Sequence, residues 1–294
     1  MLSPTIEQHL TQLLAEKPGL HITSFRCHSV RGGSINETCQ VIINHNIKFF
    51  LKVNSSTEFP VLFIKEKRGI QFLGEQKVIK VPAVIACTEI DQHQILLLEW
   101  IESGSRTEKF WKEFGKELAQ LHTVTDADFG LGEDNYMGAL PQKNDQRKSW
   151  PEFFIQCRLE PQIRIARNKG LLQSNLITAF DKLYLRIPGI FAEEKPSLLH
   201  GDLWSGNFMC DQQSEPVLID PAIYFGHRSI DLAMTTLFGG FDKDFYESYN
   251  YHFPFPPNYR EQWEICNLYP LLIHLNLFGV AYYPQIESTL RKFI

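Results

Sequence analysis

The chain has 294 residues, 44% of them apolar and 13% aromatic, enough for two ordinary domains or one large bilobal one with a core in each half. Its formal net charge of −5 excludes the basic excess of a nucleic-acid-binding protein and leaves neutral or cationic small partners as the better fit. Six cysteines scattered singly exclude both a C-x-x-C zinc site and a disulfide framework. No run approaches the ~20 apolar residues of a membrane span. The opening MLSPTIEQHL lacks the basic start and apolar run of a leader, so a cytoplasmic, monomeric protein is expected.

Ser3-Pro4 supplies a helix N-cap and a proline at the first helical position, and Ile6, Leu10, Leu13 and Leu14 then recur at helical spacing up to Pro18-Gly19. Three antiparallel strands are predicted next: HITSFRCHSV (21–30), ETCQVIIN (37–44) and KFFLKVN (48–54). The Gly32-Gly33-Ser34 turn between the first two is either a plain hairpin turn or a flap whose backbone N–H groups can approach a phosphate. Lys52 favours the flap. It lies among Phe50, Leu51 and Val53 on the third strand, and a lysine in an apolar run needs a partner. Glu66 is the candidate, in the middle of a helix expected within 55–74, where Phe59, Leu62, Phe63, Ile70 and Leu73 mark the apolar face. The alternative leaves it in the solvated cluster Lys65-Glu66-Lys67-Arg68.

Two further strands are expected, 84–88 and 94–100, the second ending in ILLLEWIE. Glu99, Trp100 and Ile101 would then form a hinge whose backbone groups can bond an adenine edge. Around residue 102 the pattern turns from strand-rich to helix-rich, which divides the chain into 1–101 and 102–294. A helix is predicted over 108–122, with Phe110, Phe114, Leu118 and Leu121 on one face. Residues 123–149 show no period and exceed the ~12–15 residues of an ordinary connection, a length often tied to function. Ser149-Trp150-Pro151-Glu152 then starts a helix, and others are expected near 172–185, 227–238, 242–249, 259–278 and 285–293.

The stretch Leu198–Pro221 carries the chemistry. His200, Asp202 and Asn207 follow H-x-D-x-x-x-x-N, and the apolar run Val217-Leu218-Ile219 delivers Asp220 at its end. A base and metal ligands facing one small volume are what phosphoryl transfer needs, because that reaction is catalysed by positioning and by neutralising phosphate charge. Asp202 fits the proton acceptor, Asn207 and Asp220 fit magnesium ligands, and Gly201 and Gly206 fit tight turns in the loop. The alternative is a mere helix-to-strand loop, but H-x-D-x-x-x-x-N followed by a buried strand ending in Asp is fairly specific.

With these motifs in view, the whole chain resembles the fructosamine kinase (ketosamine-3-kinase) family. The resemblance runs through GGSINET, FFLKVN, FIKEKRGIQFL and LLLEWIE. Its most specific parts are HGDLWSGN, VLIDPAIYFGHRSIDLAM and the paired element DNYMGALPQKN…WPEFF…RL. It implies an α+β, bilobal protein-kinase-like fold, with an N-terminal five-stranded antiparallel sheet lobe and a mostly helical C-terminal lobe. It also implies ATP and Mg2+, with Asp202 as base and Asn207 and Asp220 on the metal. Gly32, Gly33, Ser34, Lys52 and Glu66 would sit at the phosphates, and Glu99 to Ile101 at adenine. Trp204, Asn135, Gln142 and Asn144, from the family-specific elements, are expected at the substrate. The implied reaction phosphorylates the 3-hydroxyl of a ketosamine, free or as a glycated lysine, as a deglycation repair. Two positions depart from the family pattern. Ser229 stands where Glu is common, and Ser34 stands where some members carry a Cys, which removes a thiol switch there. Asp231 is expected to anchor the catalytic loop from its helix. An aminoglycoside or choline kinase of the same fold is the alternative function; a non-catalytic ATP-binding pseudokinase would have no chemical need for Asp202.

Overall fold

Ser3 accepts a hydrogen bond from the Ile6 amide and Pro4 takes the first helical position, so the expected amphipathic helix forms as α1 (Pro4–Ala15). The structure, a computed structural model, describes residues 2–30 and 36–294, so the Gly32-Gly33-Ser34 turn lies outside the described residues. Five antiparallel strands follow: β1 (Phe25–Ser29), β2 (Glu37–Ile43), β3 (Ile47–Ser55), β4 (Val84–Ile90) and β5 (His93–Glu99). They form one sheet in the order β1-β2-β3-β5-β4.

Period-two alternation assigns the two faces of this sheet. Leu51, Val53, Ile95 and Leu97 pack with Ile6, Leu10 and Leu14 of α1, whereas Leu96 and Leu98 point the other way, to α2 (Leu62–Glu75). Lys52, between Leu51 and Val53, therefore emerges on the α2 side. That helix begins later than residues 55–74 suggested, because Pro60 and a left-handed Val61 (φ 56°) hold the chain in a turn first. Buried Gln94 on β5 stitches the turn: its side chain accepts from the Phe63 amide and donates to the Ser55 and Phe59 carbonyls.

The remainder is mostly helical. Thr107 caps α3 (Glu108–Leu121), whose Phe110 and Phe114 join Phe208, Phe241 and Phe245 in an aromatic core. Residues 123–149 hold a hairpin, β6 (Asn135–Met137) and β7 (Leu140–Gln142), whose three-residue strands are too short to show a period in sequence. Ser149 caps α4 (Trp150–Phe153), which continues through a π-helical turn, Phe154–Leu159, into α5 (Glu160–Asn168). Next come α6 (Ser174–Ile190), β8 (Ser197–Leu199), β9 (Phe208–Cys210), β10 (Pro216–Leu218) and β11 (Tyr224–Gly226). Strand β8 pairs with β11, and β9 with β10.

The last helices are α7 (Ser229–Met234), α8 (Lys243–His252), α9 (Tyr259–Cys266), α10 (Leu268–Phe278) and α11 (Tyr283–Phe293). The single helix expected over 259–278 is thus two, divided at Asn267, where Pro270 has no N–H to give the preceding turn. Among the described residues no helix is long and apolar enough to cross a membrane.

Candidate active site

The loop from His200 to Asn207 connects β8 to β9, and Asp231 of α7 holds its start. The carboxylate has no exposed surface and accepts the His200 amide at 2.7 Å and the Gly201 amide at 2.9 Å. His122, the C-cap of α3, contacts the same carboxylate at 3.2 Å, and its other ring nitrogen lies 2.8 Å from the Tyr249 hydroxyl. Gly201 has φ 83°, and a Cβ there would lie 2.1 Å from the Ala222 carbonyl oxygen, so only glycine fits. The His200 Nε2 donates to the Ile219 carbonyl at 2.9 Å, which leaves Nδ1 to accept the Asp202 amide at 3.2 Å. Burial lowers the pKa of this ring, in keeping with a neutral imidazole that ties the loop to the residue before Asp220. Gly206 lies in the turn expected of it, closed by the Asn207 amide on the Trp204 carbonyl at 3.0 Å, and a Cβ there would also meet the Trp204 ring at 2.4 Å.

Asn207 Nδ2 donates to both the Asp202 carbonyl and Asp202 Oδ2, each at 2.8 Å. Among the described residues no donor reaches Asn207 Oδ1, the hard oxygen that a magnesium ion would take. Desolvation in the cleft pushes the Asp202 pKa up to about 8; Asn207 opposes the shift, while Asp220 and Asp231 add to it. Opposite this loop, Lys52 reaches Glu66 and Asp220, both at 2.7 Å. Burial works against the Lys52 charge, yet Asp220 and Glu66 together raise its pKa above the ordinary value, so the ammonium persists. Burial likewise dominates at Glu66 and raises its pKa to about 7, with Lys52 pulling against it. Asp220 adopts φ 56°, a left-handed conformation that costs a non-glycine residue about 1–3 kcal/mol.

Two cavities meet at these side chains. The first is lined by Val30, Phe50, Leu98, Met209 and Ile219 together with Glu99, Trp100 and Ile101, and so has the apolar walls of a nucleobase slot. The Glu99 carboxylate accepts the Ala83 amide at 3.1 Å. The second is lined by Tyr136, Met137, Ile273, His274, Leu277 and Phe278, and only this one includes Asp202. Lys52, Trp204, Asn207 and Asp220 line both. Asn36 also lines both; it falls within GGSINET, where no role was expected of it.

The structure does not bring Gln142 and Asn144 to the cavities, contrary to the substrate contacts expected of them. Both are 1% exposed. Gln142 donates to Asn135 Oδ1 and the Ala222 carbonyl and accepts the Tyr269 hydroxyl. Asn144 donates to Asn135 Oδ1 and the Glu133 carbonyl and accepts from Arg158. Asn135 does border the second cavity, but its amide donates to the Ile223 carbonyl and its oxygen takes both neighbours. Arg158, the Arg of the RL pair, is fully buried and stacks 3.8 Å from the Tyr224 ring centroid. The sequence signal for this network was an arginine inside the apolar run FFIQCRL.

A family model described as fructosamine kinase matches residues 6–294. A probable ketoamine kinase of Lactiplantibacillus plantarum is 38% identical over 288 residues, covering 97% of this chain and all of that one. The chloroplastic protein-ribulosamine 3-kinase of Arabidopsis thaliana is 32% identical, over 96% of this chain and 86% of that one. A crystal structure from Haemophilus somnus 129PT, described as a fructosamine-3-kinase, superposes with a TM-score of 0.88 at 27% identity, covering 97% and 96% of the two chains. A gentamicin–APH(2″)-IIa complex, at 16% identity and a TM-score of 0.62 over 100% of this chain and 96% of that one, shares the fold alone.

Proposed function

Since this chain belongs to the fructosamine kinase family and is a kinase, we propose that it transfers the γ-phosphoryl group of ATP to the 3-hydroxyl of a ketosamine. One observation carries the reading: Lys52, Asn207 and Asp220 stand where an apolar slot meets a second cavity, and Asp202 faces that second cavity only. The nucleotide would lie in the slot against Glu99, Trp100 and Ile101, its phosphates beside Lys52 and under the Gly32-Gly33-Ser34 flap. Asn207 Oδ1 and the Asp220 carboxylate would hold magnesium, which neutralises phosphate charge.

Asp202 takes the proton of the acceptor hydroxyl as its oxygen bonds to the γ-phosphorus and the bond to the bridging oxygen of ADP breaks. Its raised pKa suits a base acting near neutral pH, and a cation arriving with the nucleotide would lower it toward the ionised form. We place the ATP-binding part at 1–101 and the acceptor part at 102–294, in a cytoplasmic monomer. The acceptor would be a free ketosamine or a glycated lysine.

The test is ADP release with ribulosyl-lysine, fructosyl-lysine, choline and kanamycin side by side. Turnover with a ketosamine is expected, followed by slow loss of phosphate and free amine after the enzyme is removed. The C3 phosphate is allylic to the C1–C2 enaminol and can leave, whereas a phosphorylated choline or aminoglycoside has no such route. Turnover restricted to choline or kanamycin would sink the assignment.

A further inference from the structure

We propose that Asn36 is a phosphate-contacting catalytic residue whose side-chain amide donates a hydrogen bond to the phosphoryl group in transfer. The proposal rests on the nucleotide reading above. Among the described residues five line both cavities: Asn36, Lys52, Trp204, Asn207 and Asp220. A group passing from one cavity to the other must cross the plane of these side chains. Lys52, Asn207 and Asp220 supply a cation and metal ligands there. Asn36 adds a neutral group to that set.

Its orientation is set by the strand geometry. Thr38 is opposite Lys52 across β2 and β3, and both side chains reach the cleft. Asn36 directly precedes β2, and it lines the same cleft as Thr38 and Lys52. Asn54, two residues beyond Lys52, meets it there: Asn54 Nδ2 lies 2.6 Å from Asn36 Oδ1. The assignment of that pair follows from Asn54 Oδ1, which accepts the Ser55 amide at 2.7 Å and so turns its own NH2 toward Asn36. Asn36 therefore offers its oxygen to Asn54, and among the described residues no acceptor takes its NH2, which leaves that donor for a ligand in the cavities the residue lines. A fixed neutral donor suits the transferring group, whose equatorial oxygens gain partners without further crowding of Lys52 and the metal by another charge.

The test separates nucleotides with and without a γ-phosphate, by calorimetry with Mg·ADP and with Mg·AMP-PNP. Asn36→Asp keeps the oxygen for Asn54 and the side-chain volume but loses the donor; Asn36→Ala loses both. In both variants we expect Mg·ADP affinity within about twofold of wild type and Mg·AMP-PNP affinity weakened about five- to tenfold. The turnover number should fall 10- to 100-fold, with ketosamine KM within about twofold and the Asp variant at least as impaired as the Ala variant. Equal weakening of both nucleotides, or no change in either, overturns the role of Asn36 while leaving the ATP reading intact. If wild type binds neither nucleotide, the ATP reading fails and the role of Asn36 falls with it.

Discussion

Asp231→Asn should loosen the catalytic loop without touching any group that meets substrate. The wild-type carboxylate accepts two backbone amides, at 2.7 and 2.9 Å, from a fully buried position. A hydrogen bond to a charged acceptor contributes about 1.5–3 kcal/mol net, a neutral one about 0.5–1.5. The variant keeps one oxygen as a neutral acceptor and turns an NH2 toward the second amide, leaving a buried donor unmet. The cost comes to about 2–4 kcal/mol. At roughly 2–4 °C per kcal/mol for a chain of this order, the midpoint of thermal unfolding should drop by about 4–16 °C. Misplacement of Asp202 should lower kcat as well, by up to about the 30- to 1,000-fold that this free energy allows. Differential scanning fluorimetry and ADP release on the same preparations measure both. A midpoint within about 1 °C of wild type together with kcat within about twofold would refute the anchoring role.

Asp202→Asn should behave oppositely: kcat falls by about 10²–10⁴, the usual worth of a general base, while thermal stability holds or rises because a desolvated carboxyl has been removed; near-normal turnover would take Asp202 out of that role. Asp220→Ala should abolish activity and weaken Mg·ATP binding more than Asp202→Asn does, and equal affinities by calorimetry would contradict the metal assignment. Burial lowers the His227 pKa to about 4, against the 3.6 Å approach of Glu194, so the unfolded chain binds a proton that the folded one refuses. This contribution is absent above about pH 6.5 and grows as pH falls toward 4; at pH 5 it removes about 2 kcal/mol of stability. His227→Gln should therefore flatten the fall in unfolding midpoint between pH 7.5 and 5, and an unchanged slope would exclude His227 as its source.

What the sequence made legible were features set by near neighbours in the chain. Ser3-Pro4 and Ser149 act within four residues of themselves, and β1 to β5 carry enough residues to show their alternation. Lys52, Glu66, Asp202, Asn207 and Asp220 were recognisable because motif spacing encodes a geometry, and the structure brings them together around one cleft. Hairpin β6–β7 is too short for a period. The break at Asn267 depends on Pro270 inside a run whose apolar pattern continues unchanged on both sides.

Polar residues that face a cavity and polar residues that serve a buried backbone have the same identities, so Asn135, Gln142 and Asn144 could not be sorted from sequence. What sorts them is contact across about eighty positions: Asn135 donates to the Ile223 carbonyl and Gln142 to the Ala222 carbonyl. The Ala222 amide in turn donates to the His200 carbonyl. The segment directly after Asp220 is thus held from both the β6–β7 hairpin and the catalytic loop, and Arg158 closes the network through Asn144 while its guanidinium covers the Tyr224 ring. A left-handed Asp220 persists only if its surroundings over-determine it. The element PQ-N…W-x-x-FF…RL helps to meet that requirement from behind: it braces the backbone next to Asp220, and its polar residues are spent inside the protein.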